Sequence, residues 1–149
     1  MKKIHTLGMF FIVAIVVILS ACQSAAAPTG TLAATDIGKV VKVDNGIYKD
    51  ISESELQTMM NHKDFTLVNV HIPFEGNLPK TDLSIPYDTI GQNLSKLPGD
   101  KSAKIVLYCR SGRMSIIAAG ELVKLGYTNI WNLDGGMASW EQAGQTIEK

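Results

Sequence analysis

Apolar residues in this chain gather into short blocks, and the blocks are of two kinds. "FTLVNV" (65–70), "AKIVLY" (103–108) and "TNIWNL" (128–133) are continuous runs rich in β-branched and aromatic residues. Runs of that length and composition predict strands buried on both faces. The second kind spreads its apolar positions at helical spacing. "SESELQTMMNH" (52–62) carries Ser52 and Glu55 at capping-box spacing, which predicts a helix beginning at Glu53. "MSIIAAGELVKL" (114–125) predicts a longer helix closed by Gly126. "MASWEQAG" (137–144) predicts a last short helix after the turn "DGG".

Two further blocks, "KVVKV" and "GIYKDI", flank "DNG" (44–46) and predict a hairpin. His71 to Asp88 reads as loop, because Pro73, Pro79 and Pro86 break any helix there. "TIGQNLSKL" (89–97) predicts a short helix ended by Pro98 and Gly99. Strands therefore alternate with helices, the pattern of an α/β fold with an open parallel sheet flanked by helices on both faces. The clearest strands end at Val70, Tyr108 and Leu133. Ligands of open α/β sheets bind beyond such carboxyl ends.

The first residues stand apart from this pattern. "MKK" precedes the apolar run "LGMFFIVAIVVIL", which ends in "LSAC", Leu19 to Cys22. A run of this length suits a signal-peptide core and is short for a spanning helix. The Leu-Ser-Ala-Cys ending resembles the lipobox of bacterial lipoproteins. It implies a signal peptide over 1–21, lipidation of Cys22, and an extracytoplasmic position anchored to a bacterial membrane. Residues 22–35, rich in small side chains with Pro28 and Gly30, read as a flexible linker. The folded domain is expected over 36–149.

Composition narrows the chemistry. Lys and Arg together number 14, as do Asp and Glu, in a chain of 149 residues. Without Lys2 and Lys3 the balance turns slightly acidic, and no basic stripe points to nucleic acid. No His, Cys, Asp or Glu cluster has metal-ligand spacing, so neither a metal nor a cofactor is expected. Trp131 and Trp140 read as packing residues, as do Met59 and Met60.

Only two cysteines are present. With Cys22 lipidated, Cys109 has no partner for a disulfide. It stands at the end of a buried strand, in "YCRSGRMS", among Arg110, Ser111, Gly112, Arg113, Met114 and Ser115. The two arginines, the start of the following helix and a glycine that lets successive N–H groups converge all favour an anion here. Such a site suits a sulfur nucleophile. Cysteine phosphatases place Arg six positions after the Cys, where this chain has Ser115, so phosphate ester chemistry is disfavoured. His71, ending the first buried strand, is a possible auxiliary proton donor, although a loop histidine held by backbone is the plainer reading.

"LYCRSGRMS" and "LVKLGYTNIWNLDGGMASWEQAG" together resemble the active-site and terminal signatures of rhodanese-like domains, over about 52–148. The resemblance implies a sulfurtransferase with Cys109 as nucleophile and Arg110 to Ser115 as the loop around its outer sulfur. It implies a small anionic sulfur donor, such as thiosulfate, a polysulfide or a persulfide. The acceptor would be a thiol, cyanide or a partner protein. The family often has Arg where Met114 stands, and Asn69, His71, Asn77 and Lys80 also depart from its common residues. The alternative from another class is a rhodanese-like binding or redox-sensing module without turnover.

Overall fold

The computed structural model describes residues 37–149. The segments expected as signal peptide and linker, with Cys22, lie outside the described residues.

The described residues open with the expected hairpin, β1 (Lys39–Val43) and β2 (Gly46–Ile51), paired antiparallel. Helix α1 (Glu53–Met60) follows. Its capping box is complete: the Ser52 side chain accepts from the Glu55 N–H at 3.3 Å, and the Glu55 carboxylate accepts from the Ser52 N–H at 2.7 Å. The chain then runs through β3 (Thr66–Asn69), a two-residue β4 (Leu83–Ser84), β5 (Ile105–Tyr108), α2 (Arg113–Lys124), β6 (Ile130–Leu133) and α3 (Gly136–Gln142). The sheet order is β1-β2-β6-β5-β3-β4, and every pairing except β1 with β2 is parallel.

The period of two along each strand sorts side chains into two cores. Val68, Val70, Ile105, Leu107 and Ile130 face α2, against Ala118, Ala119, Leu122 and Val123. Leu67, Val106, Tyr108, Trp131 and Leu133 face the opposite side, against Leu56 and Met60 of α1 and Met137 and Trp140 of α3. Both tryptophans and Met60 are therefore core residues. Cys109 continues the Ile105, Leu107 alternation and belongs to the α2 side. The alternation thus decides which helix the thiol meets.

Two sequence expectations need correction. The helix expected over 89–97 is two 3₁₀ turns, Ile90–Gln92 and Leu94–Lys96. Asn93 lies between them: its side-chain amide donates to the Thr89 carbonyl at 2.9 Å, beside the Gln92 N–H at 3.0 Å, while its own N–H turns to the Ile90 carbonyl. The 71–88 loop also contains β4. Two residues show no periodicity, and this strand is set by its neighbour: Asp82 N–H donates to Leu67 O and Ile85 N–H to Asn69 O, each at 2.9 Å.

The α1 cap carries a pH dependence. Partial burial opposes ionisation of Glu55. Donors from the Gly38 N–H, the Ser52 N–H and the Ser52 hydroxyl outweigh it and hold the carboxyl below its ordinary value. A lowered folded-state value means this stability is present above the ordinary carboxylate range and is lost as pH falls through the folded value. Glu55→Ala should cost about 1 kcal/mol near neutrality. Denaturant melts at pH 7 and pH 3 should show the gap between variant and wild type shrinking at the lower pH.

Candidate active site

Cys109 leaves β5 and begins the turn into α2. Its residue is 1% exposed. The Gly112 N–H donates to Cys109 Sγ at 3.1 Å. The Ser115 hydroxyl lies 3.5 Å from Sγ and 3.0 Å from the Gly112 carbonyl oxygen, so its single proton serves two acceptors. Gly112 caps α2 at φ +94, a backbone region that favours glycine, and offers no side-chain oxygen to the first helical turn. Among the described residues, the N–H groups of Arg110, Ser111, Arg113, Met114 and Ser115 donate to no backbone or side-chain acceptor. A helix start normally satisfies such donors by a cap or solvent. Here they belong to the same short loop and helix start as the sulfur, whose own donors are the Gly112 N–H and the Ser115 hydroxyl, an arrangement suited to stabilising a negative charge at Sγ.

A second element holds this loop from outside. The Met137 N–H donates to the Cys109 carbonyl and the Ala138 N–H to the Arg110 carbonyl, both at 2.9 Å. Because a trans peptide points its N–H opposite its C=O, carbonyls tied to α3 turn the Arg110 and Ser111 N–H groups away from α3. Gly136 makes this docking possible. A Cβ built there would lie 2.2 Å from the Cys109 carbonyl oxygen, and its φ is +57. The "DGG" turn read from the sequence is thus a requirement for close approach between α3 and the cysteine loop.

The remaining expected site residues fall in different places. Ser115 is fully buried beside the thiol. Met114 is half-buried and packs on the α2-side core. Ser111 and Arg113 are exposed on the loop and the first turn of α2. Arg110 points to the rim, where it pairs with Glu141 of α3 and lies 3.5 Å from Glu75. His71 follows Val70, whose N–H donates to the Tyr108 carbonyl at 2.9 Å, so His71 and Cys109 leave neighbouring strand ends. The His71 side chain is 8% exposed, and neither ring nitrogen makes a hydrogen bond. Its Nε2 lies 3.3 Å from Glu75 Oε1, close enough for an ion pair if protonated but without hydrogen-bond geometry. The loop behind it is braced by Asn69, whose buried side chain donates to Gly76 O at 2.9 Å and accepts from the His71 N–H at 2.9 Å.

Glu75, Glu141 and Gly136 were not among the residues picked out from sequence. The first two come to Arg110 from distant parts of the chain and carry no local motif. Gly136 stood inside a quoted signature, but its contact with Cys109 needs the fold. Among the described residues, no group of three or more His, Cys, Asp or Glu is placed to hold a metal ion.

Comparison with known proteins identifies the family and the fold. Residues 52–143 match the model of the rhodanese-like domain. The chain belongs to the rhodanese-like domain family. A protein named sulfurtransferase from Allochromatium vinosum is 35% identical over 99 residues, covering 64% of this chain and 90% of that protein. A tRNA uridine(34) hydroxylase from Enterobacter is 24% identical over 116 residues, covering 74% of this chain but only 30% of the hydroxylase. Among solved structures, a rhodanese-related protein from Thermoplasma volcanium superposes with a TM-score of 0.58 at 28% identity, covering 67% of this chain and 97% of that one. This rhodanese-like domain therefore has relatives named for sulfur transfer, and its fold is the one shared by the family.

Proposed function

We propose that this chain is a sulfurtransferase that carries sulfane sulfur as a persulfide on Cys109. The observation that carries the reading is the buried Cys109 Sγ at a strand end, with the Gly112 N–H and the Ser115 hydroxyl on it and its loop carbonyls bonded by α3. With thiosulfate as donor, the Cys109 thiolate attacks the outer sulfur, an S–S bond forms, and sulfite leaves with the electron pair of the broken bond. The product, Cys109–S–S⁻, places its charge one bond beyond Sγ, where the loop donors can receive it. Cyanide or a thiolate then attacks the outer sulfur and the Cys109 thiolate is released. No net oxidant is consumed in either half.

Charge development at the outer sulfur is the step the site assists, because those donors are fixed before reaction and need no reorganisation. Arg110 lines a cleft beside the loop, and Arg113 and Ser111 are exposed next to it, within reach of an anionic donor. The basic start, the apolar run and Leu19 to Cys22 support a further part of the proposal, tethering outside a bacterial cytoplasmic membrane through lipid on Cys22.

The test is the intact mass of the full-length chain before and after thiosulfate or polysulfide, and again after cyanide, with the modified residue located by peptide mapping. One sulfur atom gained on Cys109 and lost to cyanide is the expected result. No gain with either donor, in folded protein with a reduced thiol, would overturn it and favour the binding or redox-sensing module.

A further inference from the structure

The charge beside the nucleophile is not free. Arg110 adjoins Cys109 in sequence, and two carboxylates hold its guanidinium. Glu141 takes Nη1 and Glu75 Oε2 lies 3.5 Å from Nε. On its other side Glu75 Oε1 lies 3.3 Å from His71 Nε2. Arg110, Glu75 and Glu141 border an open cleft of about 420 Å³ whose wall also includes Phe74, Ile147 and Lys149. Phe74 is 59% exposed and gives the cleft an apolar surface. The cleft thus presents two carboxylates, two cations and an aromatic face.

An inorganic dianion such as thiosulfate gains from net positive charge and has no use for a carboxylate or an aromatic ring. A zwitterionic organic sulfur compound can use all three. Its ammonium group meets Glu75 or Glu141, its carboxylate meets Arg110 or Lys149, and its carbon chain lies on Phe74. We propose that Glu75 and Glu141 set the charge selectivity of the site, disfavouring inorganic dianions and favouring amino-acid-like thiols and persulfides that carry an ammonium group. The proposal rests on the sulfurtransfer reading for its substrate. The electrostatic part requires only the positions of Glu75, Glu141, Arg110 and Cys109.

The experiment compares second-order rates of sulfur loading on Cys109 from thiosulfate and from cysteine persulfide in the full-length chain. Wild type, Glu75→Gln, Glu141→Gln and the double variant are measured, with Glu121→Gln on the far part of α2 as a charge-matched control. Both target glutamates are well exposed, so the folded chain tolerates the change. Each substitution should raise the thiosulfate rate roughly three- to tenfold and lower the cysteine persulfide rate. Added salt should compress the difference, since exposed charges are screened over about 8–10 Å at physiological ionic strength. An unchanged ratio of the two donors in the double variant would overturn the proposal.

Should no variant take sulfur from either donor, the sulfurtransfer reading fails on its own. Charge selectivity is then read from alkylation of Cys109 by iodoacetate relative to iodoacetamide, located by peptide mapping. The double variant should favour the anionic reagent by a similar factor, and no change in that ratio would overturn the inference separately.

Discussion

Cys109→Ser should abolish sulfur uptake while leaving the domain folded. Serine keeps the shape of the side chain, and its oxygen can accept from Gly112 N–H and Ser115 as the sulfur does. What it cannot do is form the S–S bond on which the cycle depends. Turnover from thiosulfate to cyanide should fall by at least about 10³-fold, in line with removal of nucleophiles elsewhere. The cost in stability should be about 1 kcal/mol, because a hydroxyl replaces a weakly polar thiol in a buried site whose donors remain paired. Parallel thermal melts and intact-mass measurements separate the two effects. Retained sulfur uptake in the serine variant would move the reactive atom off Cys109.

Gly136→Ala should be the most damaging conservative change outside the cysteine loop. The added Cβ would meet the Cys109 carbonyl oxygen at 2.2 Å and the Arg110 carbonyl carbon at 3.0 Å, both backbone atoms. It would also sit at a φ of +57, which alanine adopts only with strain. Something must move, and the atoms that can move are those of the reactive loop or the start of α3. We expect a loss of about 2–4 kcal/mol in denaturant melts, together with slower loading of Cys109. Gly120→Ala supplies the comparison. Gly120 lies inside α2, and nothing lies within 4 Å of its added Cβ. Alanine there should stabilise by about 0.5–1 kcal/mol through helix propensity alone, with sulfur loading unchanged. Equal outcomes for the two variants would mean that the contact between α3 and the loop does not hold the site.

The legible and illegible parts of this protein divide along a physical line. Buried parallel strands read as unbroken apolar runs, so β3, β5 and β6 stood out. The α1 cap was visible because both of its partners lie within four residues. By contrast β4 has two residues and exists through the edge of β3, and the expected helix is two 3₁₀ turns around Asn93, whose side chain bonds the Thr89 carbonyl. The site divides in the same way. Cys109, Gly112 and Ser115 touch one another within a single loop, so their spacing alone brought them together.

The order of elements, the cysteine at a strand end, and the glycine and serine beside it are therefore legible in the sequence. Each of these depends on contacts over a few residues or on a short period. Where the loop's charge goes and what keeps the loop in shape depend instead on contacts between distant parts of the chain. Arg110 meets Glu141 across 31 residues, and Gly136 meets the Cys109 carbonyl through the docking of α3. Such contacts leave no periodic trace, because the sheet sets them by bringing the ends of neighbouring strands together.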